Sequence, residues 1–242
     1  MKLPALIPAL LIVALPAVAV AGDVKINPKA VLELFTSQGC SSCPPADSLL
    51  TTLGQRPDVI ALAYHVDYWD YIGWTDTFGA KANSDRQRAY AASWDADSIY
   101  TPELVVNGAR DIIGSRKNEI DSALGSASLP VPVDLKADGD NMLDVSIAGK
   151  PGEKESGVWL VTYIDKANVV VERGENAGKT LSYSQVVTGR HILGMWDPET
   201  GAHLKLPLDE VLAAPSDGAA ILVQSEHNGL PGPIMGAASF VR

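Results

Sequence analysis

Val31-Leu32-Glu33-Leu34-Phe35-Thr36-Ser37-Gln38-Gly39-Cys40-Ser41-Ser42-Cys43-Pro44-Pro45-Ala46-Asp47-Ser48-Leu49-Leu50-Thr51-Thr52-Leu53 changes character twice. Val31–Phe35 is a short apolar run with β-branched and aromatic ends, as a buried strand requires. Thr36–Gly39 breaks it. Ala46, Leu49, Leu50 and Leu53 then recur at helical spacing, so the chain reads strand, turn, helix. Pro44 and Pro45 lack amide hydrogens, which is harmless only in a first helical turn. Cys40 and Cys43 are therefore expected at or just before the helix N-terminus, where free amides and the helix dipole favour a thiolate.

Working outward, Val59–Tyr64 is a second buried-strand run, followed by His65-Val66-Asp67-Tyr68-Trp69-Asp70. Strand, helix, strand predicts a right-handed parallel unit with this strand's C-terminal end beside the cysteines. Residues 76–94 read as helical, with Ser84 as N-cap of the segment Asp85–Trp94. Tyr100-Thr101-Pro102, a strand at Glu103–Val106 and the turn Asn107-Gly108 predict a hairpin closed by Asp111–Ile113. Ser115 is placed to cap a last amphipathic helix that buries Ile120, Ala123 and Leu124. Composition changes at Gly125–Pro132. Beyond it, strand patterns fall at 133–136, 143–147, 158–164, 169–172, 181–188, 191–196, 204–206, 220–224 and 237–241, with one short helix at Leu208–Ala213. Such spacing predicts an antiparallel sandwich. The expected division is a leader at residues 1–21, an α/β domain at 22–128 and an all-β, sandwich-like domain at 129–242.

Lys2, the apolar run Leu3–Val18 and Ala19-Val20-Ala21 match a secretory signal peptide cut before Gly22. Pro8 and Pro16 interrupt that run, which speaks against a retained membrane anchor. Without Lys2 the chain carries 18 basic against 29 acidic residues, a net charge of −11. Such a chain suits neither nucleic acid nor anionic lipid. Both cysteines lie in one motif, which excludes a multiply stapled scaffold while an oxidising compartment, periplasmic or extracellular, is expected.

The order strand, CxxC, helix, strand, helix, Thr-Pro, hairpin, helix resembles the thioredoxin fold. Cys40-Ser41-Ser42-Cys43 is similar to its active-site motif, and Thr101-Pro102 to the loop whose proline is cis in that superfamily. More narrowly, Glu33–Asp47 resembles the signature of a bacterial family of secreted thioredoxin-like proteins of unknown function. His65–Asp70, Arg86-Gln87 and Glu172-Arg173-Gly174-Glu175-Asn176-Ala177-Gly178 resemble it too. The resemblance implies a thioredoxin-like domain and a CxxC dithiol acting on polypeptide thiols and disulfides. Two positions depart from ordinary thioredoxins: Leu34 stands where those proteins have a buried Asp, and Gly39 where they have Trp. Glu33, the nearest carboxylate, is one residue away and should face the other side of its strand.

As a mere staple the Cys40–Cys43 ring would be inefficient, worth about 2 kcal/mol by loop entropy against about 3 for a fifteen-residue loop. A reactive pair is the reading taken forward, with Cys40 the exposed nucleophile and Cys43 the resolving thiol. Thr101 and Pro102 are expected to dock an extended peptide. His65, Asp67 and Glu33 are the candidate proton carriers, with His65 and Asp67 equally readable as solvated strand-end residues. The alternatives are a copper(I)-binding chaperone that uses both cysteines and His65, or a binding module without chemistry. No cofactor is called for. The run Gly174–Thr180 misses a phosphate-binding loop by one residue of spacing. His191, His203 and His227 are scattered and read as structural. Nine of the fifteen aromatics fall between Tyr64 and Tyr100, as a helical core or as an apolar rim for a substrate. Residues 129–242 hold no cysteine, so they are read as a docking or shielding module, with Arg173–Gly178 as its candidate contact to the redox site.

Overall fold

A computed structural model describes residues 24–137 and 140–242. The leader at 1–21 and its cleavage point lie outside the described residues. In chain order the elements are β1 (Val24–Ile26), β2 (Ala30–Thr36), α1 (Pro44–Gly54), β3 (Val59–His65), a 3-10 turn (Asp70–Ile72), α2 (Lys81–Ser93), β4 (Glu103–Val106), β5 (Arg110–Ile113) and α3 (Lys117–Ser126). There follow β6 (Val133–Ala137), β7 (Met142–Ile147), β8 (Ser156–Val170), β9 (Thr180–Trp196), β10 (Ala202–Pro207), α4 (Leu208–Val211), β11 (Gly218–His227) and β12 (Leu230–Val241). A nine-stranded mixed sheet runs β1-β12-β11-β8-β9-β3-β2-β4-β5, and a second sheet runs β10-β7-β6.

Every residue of β2 and β3 is buried, as expected for central parallel strands covered on both faces. Alternation divides them. Leu32, Leu34, Ala61 and Ala63 pack under α1 and α3 with Leu50, Leu53, Ile120 and Leu124. Val31, Phe35, Leu62 and Tyr64 face the other way, toward Tyr90 of α2. The Asn107-Gly108 turn takes positive φ at both residues, as a tight hairpin with right-handed twist demands. A Cβ on Gly108 would meet the Gly232 carbonyl oxygen at 2.5 Å, so only glycine fits there.

Three expectations change here. The boundary drawn between 128 and 129 does not divide the sheet: β9 pairs with β3 in parallel through Ala63 and Val186, so strands of both halves share one sheet. A sandwich-like core does exist, in which Val145, Ile147 and Leu143 of the small sheet close over Val158, Ile221, Val223 and Phe240 of the large one. Residues 181–188 and 191–196, expected as two strands, form one continuous strand, β9, and 158–164 and 169–172 fall in β8 or at its end. Bulges between Val158 and Trp159, and between Thr162 and Tyr163, supply irregularity without a turn. Finally, neither expected serine cap is used. α2 starts earlier, after Ala80, and Ser84 inside it donates to Asp67, while α3 starts after Arg116 without a side-chain cap.

Candidate functional site

Cys43 is the N-cap of α1, and Pro44 and Pro45 fill its first two positions. The Cys43 carbonyl accepts from the amides of Ala46 and Asp47 at 2.8 and 3.1 Å. Cys40 and Cys43 are joined in a disulfide. Contrary to the expected exposed nucleophile, Cys40 is 1 % exposed and Cys43 0 %. The cover comes from the loop between β8 and β9. Asn176, fully buried, donates to the carbonyls of Gln38 and Cys40 at 2.9 and 3.0 Å and accepts from Lys179 at 2.9 Å. Glu175 accepts from the Ser41 amide at 3.2 Å. Gly174 has φ +78 and its missing side chain would point at Trp74, so glycine lets the loop sit this close. The loop Arg173–Gly178 thus lies on the motif.

Beneath the disulfide is a buried polar cluster. Asp47, four residues after Cys43, shares its helix face. Its Oδ1 accepts from Thr36 at 2.7 Å, and its Oδ2 has no partner. Burial raises the Asp47 pKa to about 7, against the opposing pull of His65 and the Thr36 hydroxyl. His65, at the end of β3, is fully buried and bonds Asp76 through Nδ1 at 2.8 Å. Its Nε2 is buried and unpartnered. Its ring packs edge-on against Phe78 and Tyr183. Asp76 also accepts from the amides of Gln38 and Phe78. Burial pushes the Asp76 carboxyl up, but His65 and these amides outweigh it and hold it below the usual range.

Thr101-Pro102 is a cis peptide. Trp69 ties that loop to the motif. Its Nε1 donates to Thr101 Oγ1 at 2.7 Å, and its Cβ lies 3.1 Å from where a Gly39 Cβ would stand. Trp69 stacks on Tyr71, which is 81 % exposed, while Tyr64 and Tyr90 are fully buried. The aromatic run therefore supplies core side chains at Tyr64 and Tyr90 and a surface side chain at Tyr71.

Two candidates stand apart. Glu33 points to the α2 face and is held by Arg86 at 2.7 Å and by Tyr90, on the side of β2 away from α1. Alternation along the strand dictates this. Asp67 accepts from Ser84 and helps seat α2. Sequence reading missed Asp47 and Asp76. Asp47 had a usable signal, its i+4 relation to Cys43, whereas Asp76 is brought in only by the tertiary fold. Among the described residues no group of three or more His, Cys, Asp or Glu side chains is gathered to hold a metal, and no helix is long and apolar enough to cross a membrane.

Residues 31–224 match the model of a family described as a protein of unknown function, DUF1223, and the chain belongs to that family. It is similar to a protein from Agrobacterium tumefaciens solved by X-ray crystallography, with 34% identity and a TM-score of 0.80, over 89% of this chain and 95% of that one. No curated protein matches.

Proposed function

We propose, for this member of a family of unknown function, an exported thioredoxin-like thiol–disulfide oxidoreductase that acts on polypeptide thiols and disulfides in the periplasm or outside the cell. The observation that carries this reading is the unpartnered, protonatable Asp47 carboxyl on the same helix face as Cys43. A structural disulfide has no use for a proton acceptor beside it, whereas an exchanging one does. The strand order β3-β2-β4-β5, with α1 between parallel β2 and β3 and α3 after the hairpin, is the support for a thioredoxin-like unit.

In the oxidised protein a substrate thiolate attacks Cys40 Sγ, the Cys40–Cys43 bond breaks, and Cys43 leaves with the electron pair. Asp47, protonated in part near neutral pH, delivers the proton that Cys43 takes up. A second substrate thiolate then attacks the substrate sulfur of the mixed disulfide. This frees Cys40 and closes a substrate disulfide, so two substrate thiols are oxidised and one protein disulfide is reduced. Run backwards, ionised Asp47 accepts the Cys43 proton, and the Cys43 thiolate releases the reduced substrate. Asn176 and Glu175 hold the backbone at Gln38, Cys40 and Ser41 while both sulfurs are buried, so the loop must lift before a polypeptide reaches them. The Trp69–Tyr71 stack beside Thr101 offers the arriving chain an apolar shelf.

The test is catalysis of insulin reduction by dithiothreitol together with reactivation of scrambled ribonuclease. Turnover in either, abolished in Cys40→Ser, is expected. No turnover in both overturns the proposal.

A further inference from the structure

A cavity of about 720 Å³ opens on the face of the large sheet that α2 covers, lined by α2, β8, β9 and the turn before β12. That volume falls in the range of small-molecule sites. Phe78, Ile164, Val187 and Trp159 give it apolar walls, and α2 presents only Ala82 and Ala89 among its apolar side chains there. Arg190, half-buried, is the one cation on the lining without a carboxylate partner, and its Nε finds no protein acceptor. A guanidinium held against apolar walls with no acid to pair it favours a ligand that brings an acceptor.

The charges choose that acceptor. Arg86 at the cavity floor is neutralised by Glu33. Arg190 reaches only an amide oxygen, Gln224 Oε1 at 3.1 Å, and lies over the Trp159 ring at 3.2 Å. Burial first, then the nearby Arg86 charge, lowers the Arg190 pKa to about 10, so it stays cationic at neutral pH. The two acids on the lining, Asp85 and Glu226, are exposed at the rim, and Asp85 is shared by Lys81 and Arg88. The floor therefore carries one uncompensated positive charge beneath apolar walls in an otherwise acidic protein.

We infer that this cavity binds a small amphipathic anion, an apolar body ending in a carboxylate or similar oxyanion, with Arg190 as its recognition group. The inference is independent of the disulfide chemistry. Calorimetric titration of the full chain with decanoate, and with decanol as its uncharged counterpart, tests it. Decanoate should bind near one per chain and decanol at least about tenfold more weakly, the size of a lost charge-assisted hydrogen bond. Arg190→Gln should weaken decanoate by a similar factor while circular dichroism stays native. Ala89→Trp, which fills the mouth from α2 without touching the charges, should abolish binding. Absent decanoate binding, equal affinity for the two probes, or unchanged decanoate affinity in Ala89→Trp overturns the site. Unchanged affinity in folded Arg190→Gln overturns its anion selectivity.

Discussion

The two faces of β2 and β3 each bury a polar cluster, and the clusters are built on opposite terms. On the α2 face Glu33, Arg86, Tyr90 and Gln224 are joined so that the buried charges cancel: Arg86 donates twice to Glu33 Oε1, and Tyr90 donates to Oε2. Gln224 from β11 completes the group by donating to Tyr90 and to the Gly232 carbonyl. On the α1 face Asp47 and His65 each keep one buried atom free. A satisfied network holds two elements in place and has no reason to change protonation. An unsatisfied pair of acid and imidazole can move a proton at little geometric cost. The contrast separates the residues that build the molecule from those available for chemistry, although all of them are equally buried.

The largest test of this contrast is Glu33→Gln. It leaves the Arg86 charge buried without its partner, and a loss of about 3–5 kcal/mol in denaturant unfolding is expected. A loss below about 1 kcal/mol would mean that Arg86 finds water and the network is not structural. Asp47→Asn should do the reverse, slowing thiol–disulfide exchange by about 100-fold, the scale of a lost general acid or base, while raising stability at pH 7, because a neutral amide replaces a buried carboxyl that ionises there. An undiminished rate in Asp47→Asn would remove the proton role.

The same residue has a pH signature. Asp47 holds its proton up to about pH 7 when folded but only to 3.8 in the unfolded chain. In that interval the folded state binds more protons, so stability falls as pH rises from about 4 to 7 and is level above. Glu103, raised by burial to about 7, acts in the same direction. Unfolding across this range should slope less in Asp47→Asn and be flattest in the double variant Asp47→Asn/Glu103→Gln. A wild-type slope retained in both would refute the assignment. Asn176→Ala should cost about 1–3 kcal/mol, because two buried carbonyls lose their donor. It should also speed reduction of the disulfide by dithiothreitol. Equal reduction rates would show that the loop is no barrier. The smallest effect is predicted for Asp67→Asn, which retains an acceptor for Ser84 and should leave exchange within about twofold.

The strand, the CxxC turn and α1 were legible because each is written in local pattern and proline chemistry. The position of Glu33 was legible too, since strand alternation forces it away from α1. The Ala63–Val186 pairing was not, because nothing in a period-2 pattern says which of several apolar strands will neighbour another. The turn signals around Gly189 and Gly194 belong to a strand with bulges in its pairing, and sequence alone gives both the same residue types. Burial of Cys40 was hidden for a third reason. It depends on Asn176, 136 residues away, whose amide meets the Gln38 and Cys40 carbonyls only once the sheet is assembled.

The seating of β1 has a consequence for the order in which the molecule can be completed. Val24 stands opposite Phe240, and β12 lies between β1 and β11. A chain synthesised N-terminus first presents β1 early and its neighbour last. Until the final dozen residues emerge, β1 has no strand to join and β11 keeps an open edge, the kind of edge to which other chains add. Asn107 waits on the same event, because its carbonyl accepts from the Ile234 amide of β12. A chain stopped before Leu230 would thus keep its cysteines, Asp47 and His65 and still lack the strand that seals the sheet, and its expected fate is aggregation.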